Sequence, residues 1–163
     1  MSDPFAPPGV PWTPISPRLT SARRVALLLT QVPLLAVVVV VGLVLRLPTW
    51  LVVLVAGLTV VYTAVSWVVI GIQTRRWAYA EREDDLYIRS GALFRRLVAV
   101  PYGRMQFVDV ASGPLDRHFG VATLRLHTAA PGTSAVVPGV PADEAARLRD
   151  RLTELGEATG SGL

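Results

Sequence analysis

The side chains able to do chemistry are few and lie in the second half of the chain. Ser112 stands between Asp109 and His118, so a serine–histidine–aspartate set can be drawn on paper. A nucleophilic serine needs a sharp strand–turn–helix elbow that exposes its oxygen beside a base. Ala111-Ser112-Gly113-Pro114 reads instead as a turn. A zinc site needs three or four ligands at supporting spacing. The only histidines are His118 and His127, and no cysteine is present to add thiolates. His127 falls on the polar phase of a strand and His118 beside a turn, so both read as surface or hydrogen-bonded side chains. The acidic run Glu81, Glu83, Asp84 and Asp85 lacks the alternation, glycine and closing glutamate of a calcium loop. It reads as a solvated hairpin tip. Gly91, Gly103, Gly113 and Gly120 are isolated turn positions and form no phosphate cradle. The expectation is a protein with no catalytic, cofactor or metal site.

The remaining candidates are cationic. All sixteen basic residues are arginine, and the net charge is +4. They are interspersed with acids and form no nucleic-acid-binding motif. Arg75, Arg76, Arg95 and Arg96 are the candidates for contact with a lipid surface. An arginine near an anionic leaflet contributes about 1 kcal/mol. For Arg75 and Arg76 a plain topology signal is the competing reading.

The elements that carry these residues begin with a proline-rich tail. Pro8, Pro11, Pro14 and Pro17 recur at every third position, the period of a polyproline II helix. Such a strip either docks a partner or stays disordered, and residues 1–24 are expected to be a cytoplasmic tail. Val25–Leu45 then runs 21 residues without a charge. At about 1.5 Å per residue this spans a bilayer's roughly 30 Å hydrocarbon layer. Pro33 inside it predicts a kink. Gln31 offers a polar group to a neighbouring helix. Arg46-Leu47-Pro48-Thr49 breaks the run, and a second span covers 50–72, with Trp50 and Trp67 suited to the interfaces. A link this short predicts an antiparallel hairpin over 25–72. The first run is too long for a signal peptide and lacks a small-residue cleavage site. Arg18, Arg23, Arg24, Arg75 and Arg76 flank the hairpin, against Arg46 alone in its link. The positive-inside rule therefore predicts both termini in the cytoplasm.

Residues 73–156 change texture. Segments rich in strand formers recur with turn signals about every ten residues, which predicts a sandwich or small barrel. Leu124-Arg125-Leu126-His127-Thr128 is the clearest strand, alternating apolar and polar. Within "PADEAARLRDRLTEL", Leu148, Leu152 and Leu155 share one helical face, with Asp143 and Glu144 in the first turn. That helix is expected to plug the open end of the barrel. Residues 157–163 are expected to be a disordered tail.

The stretch "VPYGRMQFVDVASGPLDRHFGVATLRLHTA" resembles the bacterial pleckstrin-homology (PH) domain family of small membrane proteins. The resemblance rests on Pro101, Arg104-Met105-Gln106, Val108, Pro114-Leu115-Asp116-Arg117, Gly120–Leu124 and Thr128-Ala129. It implies a two-helix transmembrane hairpin followed by an all-β, seven-stranded bent antiparallel barrel capped by a C-terminal helix. It implies a non-enzymatic interaction module at the cytoplasmic membrane. Its partners would be the lipid bilayer and a protein: a larger membrane protein with several such domains, or a second copy of the chain. A role in envelope stress or defence is a further implication. Eukaryotic PH domains hold lipid head groups with basic residues in the first hairpin loop, where this chain has Glu83-Asp84-Asp85. The competing functional classes are an anionic-lipid-sensing accessory and a subunit of a transport or export assembly.

Overall fold

The computed structural model describes residues 10–92, 94–128 and 134–160. The chain forms two compact units. Thr20–Ile72 make one, and the segments ending at Leu19 and starting at Gln73 together make the other.

The first unit is a pair of long helices, α1 (Arg18–Val44) and α2 (Thr49–Thr74). Their apolar windows have mean hydropathies of 2.7 and 2.2, and both are long and apolar enough to cross a membrane. Ser16 caps α1: its hydroxyl accepts from the Arg18 N–H at 3.3 Å, with Pro17 at the following position. The helix continues through Pro33. It closes on a left-handed residue, Arg46, with φ of 49°. Leu47 N–H donates to Gly42 O at 2.9 Å and Arg46 N–H to Leu43 O at 3.3 Å, the paired bonds that satisfy orphaned carbonyls at a helix end. The hydroxyls of Thr30, Thr59 and Thr63 donate to carbonyls of their own helices, so they are satisfied without water. Leu43, Val44 and Trp50 remain about 70% exposed, at 73%, 73% and 68%. Hydrocarbon, and not water, suits such a surface.

The second unit is a barrel of two antiparallel sheets. Among the described residues it has seven strands: β1 (Thr13–Pro14), β2 (Ala78–Glu81), β3 (Asp85–Ser90), β4 (Arg96–Pro101), β5 (Met105–Ala111), β6 (Val121–Thr128) and β7 (Ala135–Pro141). The first sheet runs β1-β2-β3-β4 and the second β5-β6-β7. A short helix α3 (Pro114–His118) joins β5 to β6, and α4 (Ala142–Gly160) follows β7. Leu124, Leu126 and Thr128 point inward and Arg125 outward, as the alternation in β6 predicts. Leu148 and Leu152 of α4 are buried in the same core, with Leu155 packed against it. The helix therefore caps the barrel.

Two boundaries differ from the expectations. The segment read as an N-terminal tail supplies β1, which pairs Thr13 with Tyr79 and Pro14 with Ala78. Ile15 and Leu19 enter the barrel core, and Ser16 N–H donates to Gly139 O at 2.9 Å, linking β1 to β7. A two-residue strand followed by Ser-Pro is too short to show any period, so only tertiary pairing reveals it. The proline repeat itself lies partly in residues 1–9, outside the described residues. At the other end, α4 continues to Gly160, so residues 157–160 extend the helix. The short helix α3 is also absent from the strand-by-strand reading.

An ionic cluster fixes α4 to β2. Arg147 Nη2 donates to Glu81 Oε1 at 2.7 Å and to Glu144 Oε1 at 2.6 Å, while its Nε reaches Glu144 Oε2 at 2.9 Å. Arg147 holds the Glu144 carboxyl below its ordinary range. The buried phenol of Tyr79 lies beside this cluster. Burial, then the nearby Glu144 and Glu81 charges, push its pKa up to about 12. Tyr79 thus holds its proton more tightly folded than unfolded. Its contribution is complete below pH 10, the unfolded value, and is lost as pH rises toward 12. The urea midpoint is expected to fall between pH 9 and pH 11.5, and Tyr79→Phe to flatten that fall (both pH values being roughly chosen to bracket the transition). An unchanged slope would assign the alkaline loss to other groups, Tyr102 first, whose pKa is also raised by burial.

Candidate functional site

One edge of the barrel's second sheet follows from strand order. Among the described residues β5 has a strand neighbour, β6, on one side only. Along β5 the register with β6 shifts between Met105 and Phe107, leaving Gln106 as the extra residue of a β-bulge. Bulges at sheet edges bend the strand and re-aim its side chains. Gln106 and Phe107 both come out exposed, with Phe107 at 56%. The Phe107 ring stacks on His127 at 4.2 Å between centroids, 13° from parallel.

Opposite this bulge runs the last part of α4. Between them is a groove of about 140 Å³, lined by Gln106, Phe107 and Val108 on the strand and Thr153, Gly156 and Glu157 on the helix. Gly156 keeps that wall low because it carries no side chain. A Cβ there would meet only the Tyr102 carbonyl oxygen, at an ordinary 3.6 Å. Glycine inside a helix costs about 1 kcal/mol relative to alanine. Gly156→Ala is therefore expected to raise barrel stability by about that amount in urea melts.

The motif residues are positions of fold construction. Pro101 ends β4, and Arg104 ends the 3₁₀ turn Tyr102–Arg104. Pro114 opens α3 after Gly113, and Phe119 N–H donates to Leu115 O at 3.0 Å. Gly120 accepts a left-handed φ of 67° as the chain turns into β6, and its N–H donates to Arg117 O at 3.1 Å. Gln106 is the exception, being exposed in the groove. Its aim comes from a bulge, which strand alternation does not reveal.

The reactive candidates are engaged structurally. Ser112 Oγ donates to Val121 O at 3.0 Å, tying the α3 turn to β6. His118 meets the edge of Phe119 at 5.2 Å, and His127 stacks on Phe107. Glu81, Glu83, Asp84 and Asp85 lie around the β2–β3 turn. Tyr102 braces that turn, its hydroxyl donating to Arg82 O and its N–H to Asp84 O, each at 3.0 Å. Arg75, Arg76, Arg95 and Arg96 are all exposed.

In the helical unit Arg24 has a partner that the sequence does not announce. Arg24 lies 4.5 Å above the Trp67 ring, and its Nη2 donates to Trp67 O at 3.4 Å. Gln31 lines an apolar groove of about 280 Å³ between α1 and α2.

A family model described as bacterial PH domain matches residues 24–156. The chain belongs to the bacterial PH domain family. Among curated proteins, the UPF0699 transmembrane protein YdbS of Bacillus subtilis (strain 168) is 35% identical over 88 residues, which is 54% of this chain and 54% of that protein. The chain thus spans about half the length of the curated relative it matches. No solved structure matches it. The two membrane-capable helices, the two antiparallel sheets and the capping helix are this bacterial PH member's architecture.

Proposed function

We propose that this chain is a non-enzymatic, membrane-anchored docking module whose PH-like barrel receives an extended segment of another protein in the groove between β5 and α4. The observation that carries this reading is the edge position of β5 beside that groove. An edge strand offers unpaired backbone groups, and an added strand draws affinity from them and specificity from neighbouring pockets. Phe107 supplies an exposed aromatic anchor, the kind of residue that dominates interface energetics. The partner is a protein of the same membrane: a larger protein with several such domains, or a second copy of this chain.

A photo-crosslinking amino acid at position 107 in native membranes is expected to yield a discrete adduct, while the same probe at Asp84 yields none. Gly156→Leu, which fills the groove, is expected to abolish the adduct without lowering barrel stability. No adduct at 107, or one indifferent to Gly156→Leu, overturns the reading.

The anchor is a hairpin with both termini in the cytoplasm. Arginine distribution favours that side, and β1 pairing with β2 supports an even number of crossings, because the two strands precede and follow the helices. Reporter fusions at Met1 and Leu163 are expected to read cytoplasmic, and a tag between Arg46 and Pro48 to be reachable from outside. An external C-terminus would contradict both arguments.

A further inference from the structure

The β3–β4 turn carries the most exposed large apolar side chain among the described residues, Phe94, at 90%. Even the apolar side chains of α1 and α2 stop at 73%. One exposed aromatic would be unremarkable by itself. Its setting is what matters. Arg95 and Arg96 follow it directly, and both are exposed. Gly91 sets the turn with φ of 97°, a conformation in which any Cβ would collide with the Phe94 carbonyl oxygen. Phe94, Arg95 and Arg96 thus lie exposed beside a backbone position fixed at Gly91.

Register places this tip. Ala78 pairs with Arg89, and Ser90 pairs with Arg96. The start of β2, the end of β3 and the start of β4 therefore share one end of the sheet. Pro14, which precedes α1, pairs with Ala78 and lies at that end too. The chain leaves the barrel toward α1 and returns from α2 at this same end. Only Arg75, Arg76 and Trp77 separate Thr74, the last residue of α2, from β2. Charge follows the same division. Between Gln73 and Pro101 the acids are Glu81, Glu83, Asp84 and Asp85, all at the β2–β3 end. Five of the six arginines in that stretch, Arg75, Arg76, Arg89, Arg95 and Arg96, gather at the other, and Arg82 lies among the acids.

We infer that the β3–β4 tip is a membrane-docking wedge: Phe94 inserts among the acyl chains of an anionic leaflet while Arg95 and Arg96 pair with its head-group phosphates. Aromatic rings favour the interfacial layer, and the cations attract the anionic surface. The short tether keeps the barrel next to the leaflet, so insertion orients it and turns the acidic β2–β3 tip away.

The test uses the full chain in lipid nanodiscs, one copy per disc. The sequence has no cysteine, so a single Ala92→Cys places an environment-sensitive fluorophore beside an intact Phe94. Asp84→Cys reports from the opposite tip. In discs containing phosphatidylglycerol, the label at 92 is expected to be quenched by spin-labelled lipid and shielded from aqueous iodide, and the label at 84 to behave oppositely. Phe94→Asp is expected to abolish the lipid quenching. Arg95→Gln with Arg96→Gln is expected to shift the docked-to-free ratio by about fivefold per charge removed. Zwitterionic discs, or salt raised until the screening length falls to about 3 Å, are expected to weaken it likewise. Equal iodide access at 92 and 84 overturns the proposal. So does lipid quenching that survives Phe94→Asp, or shielding at 92 that arises only in native membranes, where another protein would be the occupant.

Discussion

A fragment beginning at Gln73 is expected to lose the barrel fold, and the same fragment joined through a flexible linker to residues 10–19 is expected to keep it. Cutting the chain after the helices looks natural, because the strands and the capping helix are then all retained save one. That cut nevertheless removes β1, both hydrogen bonds that flank it and two core side chains. Ile15 N–H donates to Trp77 O at 3.4 Å and Ser16 N–H to Gly139 O at 2.9 Å. Ile15 and Leu19 are only 7% and 4% exposed. Burying an aliphatic side chain of this size contributes about 1.5–3 kcal/mol. Two of them approach the roughly 5–15 kcal/mol that separates folded from unfolded small domains. Leu19 also packs where Gly139, at φ of 71°, leaves room for it. Circular dichroism and urea melts of the two fragments decide the matter. Equal midpoints would mean that β1 adds nothing to the core.

The second large effect is expected in the capping helix. Leu152 is fully buried, at 0%, and faces the barrel interior with Leu148 and Ala145. Truncating a buried leucine to alanine costs about 2–5 kcal/mol, from lost apolar transfer and the cavity left behind. Leu152→Ala should therefore lower the urea midpoint severely. Arg149 is a suitable control. Its side chain is nearly half exposed and pairs with its neighbour Asp150 at 2.7 Å. Pairs so exposed contribute about 0–1 kcal/mol, so Arg149→Ala should leave the midpoint almost unchanged. Equal losses in the two variants would show that α4 does not cap the core.

Most of this architecture is legible from periodicity. The spans announce themselves by length and lack of charge, β6 by alternation, and α4 by its leucine spacing. What stays hidden depends on pairings distant in the chain or on departures from regularity. β1 is two residues long among prolines, and nothing local separates it from a tail. The bulge at Gln106 breaks the very alternation used to assign strands, yet it aims the groove. Phe94 lies between strand-like stretches and reads as the beginning of a strand. Only the turn at Gly91 and the register of β3 with β4 show that it points away from the core. Arg24 reads as a topology signal, although it also covers Trp67.

The placement of β1 has a consequence for biogenesis. Its partner strand follows about sixty residues later, after both helices have been synthesised. At a translation speed of about 5–20 residues per second, the first strand waits several seconds for the second. On the proposed hairpin topology, the barrel closes only after both helices are inserted with their outer ends on one face of the bilayer. A chain that inserted only one helix would strand β1 across the membrane from its sheet, with Ile15 and Leu19 uncovered and the core short of a wall. Quality-control proteases act on incompletely folded domains. On that topology a closed barrel would certify correct insertion, and a misthreaded molecule would expose its own defect.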